Sequence, residues 1–379
     1  MKNKSTFLGI VVLVLLVLGT IYSLFIRPAY YKFNGGEAYL TPVSNQRLLS
    51  GFTELIVIGD YIYECNKNGL IKKSIDGETV WSKGFYINDP QIEYEGEYIA
   101  IADITGKSVY VFNQTGFVKE IKESYPINNI HINKEGFLTT ILDFDKQNII
   151  NYYNNEGVKV LTRGTRFFED GYPIDVVTSQ GVTKMMTGYL NISNNRLQTR
   201  ISFFGFDDQY DKYDENAIGG YLYENALLSD LYWLSEDNSL AVLDNELVIY
   251  ECANEPSIIA SIPVEAELSK VEHTKNEIIV WYGDALIEGT LDQDNKVVVY
   301  DYDGKIIATH SYDEPIRNMV ANGDNYFVMT SSQIIKYKGK SREWFASTNL
   351  TVNDFYEVSD NRYVVVSSQG YEILKIRER

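Results

Sequence analysis

The sequence predicts an all-β chain: a seven- to eight-bladed β-propeller, eight favoured by its turns, preceded by one N-terminal transmembrane helix. Three observations carry that expectation. Residues 7–26 contain no charged side chain. Beyond them, one strand–turn–strand phrase recurs at a nearly constant spacing. Short segments there alternate with period two, and no long segment shows an apolar period of 3.6.

The run FLGIVVLVLLVLGTIYSLFI holds 20 residues. At about 1.5 Å per residue it spans roughly 30 Å, the thickness of a bilayer's hydrocarbon core. A cleaved signal peptide has a shorter apolar region, about 7–15 residues, followed by small residues at the cleavage site. Here the bulky Ile21 stands two places before Ser23. Tyr22, Phe25, Tyr30 and Tyr31 fall where an interfacial aromatic belt would lie. An uncleaved anchor is therefore expected, with residues 1–6 as a cytoplasmic head, 27–36 as a linker and 37–379 as the propeller. Lys2, Lys4 and the amino terminus before the helix only slightly outweigh Arg27 and Lys32 after it. A short polar head normally stays in the cytoplasm, which would place the large domain outside the plasma membrane.

Residues 1–32 carry four of the 34 basic side chains and none of the 52 acidic ones, leaving a formal charge of −22 on the remainder. That field repels phosphate backbones and argues against nucleic acid as a partner. Cys65 and Cys252 fall in distant repeats and are expected to be two free, buried thiols.

The repeated phrase is clearest from Gly96 to Gly116: a turn, the strand Tyr98-Ile99-Ala100-Ile101-Ala102-Asp103, a second turn at Gly106, and Ser108-Val109-Tyr110-Val111-Phe112-Asn113. Related first turns occur at Gly59-Asp60, Glu135-Gly136, Gln180-Gly181, Glu236-Asp237, Lys275-Asn276, Gly323-Asp324 and Ser359-Asp360. From Asp60 to Asp360 the average interval is about 43 residues, the length of a four-stranded propeller blade. Pro90, Pro126, Pro173 and Pro315 each precede a first turn by a similar distance, which suits the start of an inner strand, where proline costs no ladder hydrogen bond. The last blade lacks an outer strand, and residues 37–49 are expected to supply it, closing the ring and removing an exposed edge. The long interval from Gln180 to Asp237 keeps a seven-bladed ring open.

Ser74-Ile75-Asp76-Gly77-Glu78-Thr79-Val80-Trp81 resembles the blade signature of pyrroloquinoline-quinone-type propellers, in which a glycine turn leads to a tryptophan that docks the next blade. Later blades carry Phe or Ile instead, and nothing singles out a cofactor site. Asp292-Gln293-Asp294-Asn295-Lys296 begins like a calcium loop, but Lys stands at a ligand place and no Glu closes it. Asp301-Tyr302-Asp303-Gly304 reads as a hairpin turn. His131, His273 and His310 have no His or Cys at ligand spacing, so no metal is expected. Nucleophile elbows, phosphate loops and metalloprotease helices are absent from the sequence, and no catalytic residue is assigned.

Two groups are candidates for binding. One is the loop within residues 203–224, where Asp207, Asp208, Asp211 and Asp214 crowd among Tyr210, Tyr213, Tyr221 and Tyr223; tyrosines beside carboxylates suit sugars or peptides. The other is the channel, for which His131, Asp175 and Arg317 are the candidate lining residues.

The basic head, the single helix, the Tyr98–Asp103 and Val109–Asn113 strands and Gly171-Tyr172-Pro173-Ile174-Asp175-Val176 together resemble the membrane-anchored propellers of low-GC Gram-positive bacteria grouped as domain-of-unknown-function family 5711, with PQQ-like and WD40-like blades. The resemblance implies an architecture and no chemistry. The expected function is a non-enzymatic binding or scaffold module, without cofactor, held to the membrane by its helix and serving a cell-envelope protein or glycan. Two other readings stay open: a quinoprotein-like or glycan-acting enzyme using channel carboxylates, and an architectural envelope subunit.

Overall fold

The computed structural model describes residues 35–43, 47–48, 54–145, 147–166, 169–193, 196–206, 210, 216–283, 295–359, 361–367 and 370–378, together with Thr20. The expected membrane helix at 7–26 thus lies outside the described residues except for Thr20. Among the described residues no helix is long and apolar enough to cross a membrane.

The described chain is almost entirely antiparallel strand. Six four-stranded sheets follow one another along the sequence, and a nine-stranded sheet joins the two ends. Apart from the short strand Arg47–Leu48, which pairs with Gly370 and Tyr371, the last divides into two four-stranded units, so the described residues form eight blades: 54–84, 90–122, 127–166, 172–224, 228–263, 268–311, 316–347, and 352–378 completed by the N-terminal strand Gly36–Pro42. The long fourth interval is a single blade whose middle strands, Lys184–Ser193 and Arg196–Gly205, are ten residues each. All eight first turns fall between the first and second strands of a blade. Pro90 opens its strand, Pro173 is second in its strand, and Pro126 and Pro315 immediately precede theirs.

Blade 8 closes the ring. Ala38 to Pro42 pair antiparallel with Leu374 to Glu378. The other edge of the same strand pairs in parallel with the outer strand of blade 7, Gly36 opposite Trp344 and Ala38 opposite Ala346. Both edges of the N-terminal strand are therefore filled, and blades 7 and 8 share one continuous sheet.

The core lies between blades. Eight apolar clusters among the described residues each fill one seam, from Ile56, Tyr63, Ile101 and Phe112 between blades 1 and 2 to Leu55, Ile62, Val364 and Tyr371 between blades 8 and 1. Burial on both faces explains the near-continuous apolar second strands, such as Glu277–Tyr282. Trp81 docks blade 1 as its motif predicts, stacking on Phe112 with centroids 5.8 Å apart. The expectation that later blades lack such a tryptophan needs correction. Trp344, five residues after Gly339, packs edge-on against Tyr363 (5.7 Å) and Phe355 (6.3 Å) across the seam to blade 8.

Several polar groups in the seams are paired. The Glu123 carboxylate, 5% exposed, accepts from Thr140 Oγ1 (2.6 Å), Asn151 Nδ2 (2.9 Å) and Tyr153 OH (2.7 Å). Lys72 donates across a seam to the Gln114 carbonyl at 2.8 Å and lies over the Tyr61 ring. Cys65 and Cys252 are free and buried. Asp301 forms the expected hairpin turn, its carboxylate accepting from the Asp303 and Lys305 amides.

Candidate functional site

The innermost strands carry a pattern that single motifs do not reveal. Three or four register steps from the first pair of each inner hairpin stand Glu54, Gln91, Asn129, Asp175, Asp230, Lys270, Asn318 and Asp354, one per blade. In blades 3 to 8 a β-bulge precedes the residue, and a bulge re-aims the side chain that follows it. Every position in this axial belt is polar or charged.

Many of these side chains clasp the next blade. Gln91 Nε2 donates to Asn129 Oδ1 (2.7 Å), and Asn129 Nδ2 donates to the Ile174 carbonyl (2.9 Å). Asp175 accepts from its neighbour Val176 N (2.8 Å) and from Leu231 N of blade 5 (2.9 Å). Lys270 Nζ donates to Asn318 Oδ1 (3.1 Å) and the Met319 carbonyl (2.8 Å). Asn318 Nδ2 donates to Asp354 Oδ1 (2.7 Å) and the Asn353 carbonyl (2.7 Å). The belt thereby links blades 2 to 5 and 6 to 8.

Its charge is one-sided. Besides the four belt carboxylates, Glu93 and Glu272 lie on inner strands, and Lys270 pairs with Glu272 at 2.9 Å. Burial, then repulsion from Asp175 and Glu54, pushes the Glu93 carboxyl up to about 7 against the hydrogen bond from Gln91. Burial raises Asp175 to about 6 despite its two amide donors. Glu54 is raised by burial and by Asp354. Asp354 is raised by burial although Lys270 and Asn318 oppose it. Tyr94 and Tyr356 share a hydrogen bond among these groups.

Further along the same strands is a cavity of about 70 Å³ lined by Glu95, His131, Asn133, Val177, Thr178, Gln180, Leu231, Tyr232, Trp233 and His273. Five consecutive blades contribute to it, so it lies on the axis. Tyr232 connects it to the carboxylates: burial and then Asp230, Glu272, Asp175 and Glu93 raise its phenol well above the ordinary value. The buried His131 Nε2 has no hydrogen-bond partner among the described residues, and burial lowers the imidazole pKa to about 4.

The structure thus places the channel candidates unequally. His131 lines the axial cavity and Asp175 belongs to the belt. Arg317 is instead the exposed bulge residue, and the register gives the axial place to Asn318. Of the loop candidates, Asp207, Asp208, Asp211, Tyr213 and Asp214 lie outside the described residues. Tyr210, Tyr221 and Tyr223 are not a surface display. Tyr210 is 5% exposed and packs in the blade 4–5 cluster. Tyr221 OH donates to the Pro256 carbonyl (2.9 Å), and Tyr223 OH meets Tyr250 OH at 2.6 Å. These rings pack against blade 5. Among the described residues no group of three His, Cys, Asp or Glu is placed to hold a metal ion.

A second cavity of about 460 Å³ opens at the rim between blades 3 and 4, lined by Tyr152, Val160, Leu161, Arg163, Met185, Phe204 and Phe206, among others. Tyr152 and Phe206 stack at 4.8 Å, and the Arg163 guanidinium lies 4.1 Å from the Phe204 ring centroid. Val160 and Leu161 on its lip are 53% and 39% exposed. Sequence patterning missed this groove because it joins residues 152–164 to residues 185–216 across a seam.

A closed ring of four-stranded blades with an axial channel defines a β-propeller. Residues 39–376 match a family described only as a family of unknown function, DUF5711, and the chain belongs to that family. Among solved structures it is similar to BamB from Moraxella catarrhalis, with 12% identity, a TM-score of 0.51, and coverage of 88% of this chain and 99% of that one. The WD40 domain of Neurospora crassa Pan2 overlaps less well: 10% identity, TM-score 0.45, covering 93% and 92% of the two chains. These likenesses concern the fold alone. No curated protein matches the chain in sequence.

Proposed function

We propose that the protein is a membrane-anchored, extracytoplasmic propeller that acts as a non-enzymatic binding or scaffold module for a protein of the cell envelope. The 20-residue uncharged run at 7–26 supports the anchor. The binding role rests on the rim groove between blades 3 and 4. It combines an aromatic floor with exposed aliphatic residues on its lip, the composition of a protein-interaction patch. Eight filled seams make the ring a rigid support for it.

The test is photo-crosslinking in cells from a benzoylphenylalanine placed at Val160, with Ile306 on blade 6, 64% exposed, as control. A discrete protein adduct at Val160 that is absent at Ile306 and lost in Leu161→Glu is expected. Identical patterns at both sites would refute the groove. An adduct dissolved by glycosidase and not by protease would replace the protein with a glycan. Protease accessibility on intact cells checks sidedness.

One observation favours the enzymatic alternative. A carboxyl pushed to about 7, as Glu93 is, suits a general acid. Asp175 makes a poor partner for it, because two amide donors already occupy its oxygens. Release of reducing ends from envelope glycan by the wild type and not by Glu93→Gln would establish that alternative.

A further inference from the structure

The axial cavity combines a buried acceptor, an acidic surround and aromatic walls. Its volume of about 70 Å³ exceeds two water-sized groups at about 30 Å³ each. His131 Nε2 faces no partner among the described residues, and a buried polar nitrogen without a hydrogen bond is costly. Burial keeps this imidazole neutral at pH 7, so one ring nitrogen presents a lone pair.

The surrounding charge is negative. Glu95 lines the cavity, and Asp175, Asp230 and Glu272 lie close enough to act on Tyr232 in its wall. Lys134, which acts on Glu95, and Lys270 stand near, and both are engaged. Lys134 Nζ donates to Gln180 Oε1 at 2.6 Å. Lys270 is held by Glu272, Asn318 and the Met319 carbonyl. Trp233 and Tyr232 add aromatic walls of the kind that favour cations, and the Tyr232 and His273 rings meet edge to face at 5.5 Å.

We propose that this cavity binds a primary ammonium group, from either a lysine side chain of a protein partner or a free aliphatic polyamine. An anion would meet the carboxylates. A metal ion lacks a ligand set among the described residues. A neutral hydroxyl would satisfy His131 and leave the negative field uncompensated. An ammonium answers both, donating to His131 and to Glu95 while neutralising the field. The lysine source rests on the partner-binding reading above, whereas the polyamine source does not.

Calorimetry on the full chain in detergent, with ring-¹⁵N histidine spectra, tests the site. The probes are 1,5-diaminopentane and N-acetyl-lysine methylamide, against the neutral 1,5-pentanediol and N-acetyl-norleucine methylamide. Saturable binding of an ammonium probe with a shift of the His131 Nε2 resonance is expected, with the neutral probes inert. His131→Phe and Glu95→Gln should each weaken binding at least tenfold. Glu95→Gln, at the half-buried edge of the cavity, keeps the test valid should His131→Phe fold poorly. Leu161→Glu at the rim should leave amine binding unchanged, which separates this site from the groove. Tighter binding of the lysine amide assigns the partner source, and tighter binding of the diamine assigns the polyamine. Equal binding of charged and neutral probes, or no saturation at millimolar concentration, would overturn the proposal.

Discussion

At the scale of single residues, burial sets the chemistry of the axis. The Glu93 carboxyl is raised from an ordinary 4.5 to about 7, so the folded state holds its proton where the unfolded chain has lost it. Its contribution to stability is full below pH 4.5 and is lost as pH rises through about 7. Glu93→Gln should therefore gain stability over the wild type as pH climbs from 5 to 8, measured by urea denaturation at each pH. His131 has the opposite sign. Its folded pKa is lowered from 6.5 to about 4, so the stability it allows is present above pH 6.5 and is lost as pH falls towards 4. His131→Phe should flatten the acid limb of the stability curve. Backbone strain decides another site. Gly136 has φ +81°, and a Cβ there would lie 2.4 Å from Tyr98 Cε1. Gly136→Ala should cost on the order of 1–3 kcal/mol, read from its denaturation midpoint.

At the scale of elements, the seams hold the free energy. Trp344 is 3% exposed and joins blades 7 and 8. Trp344→Ala should cost about 3–5 kcal/mol, the range for a buried large aromatic, seen as a lowered chemical-denaturation midpoint. Glu123→Ala would strand the hydroxyl, amide and phenol that Thr140, Asn151 and Tyr153 direct at one carboxylate. Its cost is roughly 2–4 kcal/mol, because orphaned buried donors lose more than the bond itself.

At the scale of the whole molecule, the ring couples distant blades. Cys65 in blade 1 and Cys252 in blade 5 lie half a ring apart, and burial pushes their thiols up to about 12 and about 11. A thiol so disfavoured as thiolate reacts slowly. Both should resist iodoacetamide in the native protein and become labelled together at one urea midpoint if the ring unfolds as a unit. Labelling at two separated midpoints would show that the blades open independently. Deleting residues 35–43 removes the strand that fills both edges between blades 7 and 8. The ring should then lose its single transition and self-associate through the exposed edge.

Much of this was legible along the chain. Period-two alternation, the eight first turns and the early prolines depend only on local backbone preferences, so they mark blades, hairpins and even the missing outer strand. The belt was legible too: a polar or charged residue stands five or six places before each first turn. No single motif marks it, because Gln, Asn, Asp, Lys and Glu share a role there and no common letter.

What tertiary structure alone decided is where side chains from different blades meet. Arg317 and Asn318 are adjacent in sequence, and only the bulge register puts Asn318 on the belt. Tyr210, Tyr221 and Tyr223 are binding-loop candidates by sequence, and in the fold they pack against blade 5. The rim groove and the axial cavity draw on residues up to about 180 positions apart, from Glu95 to His273. Local spacing fixes a strand's face. The neighbour across a seam is chosen by the packing of the closed ring, which no local pattern encodes.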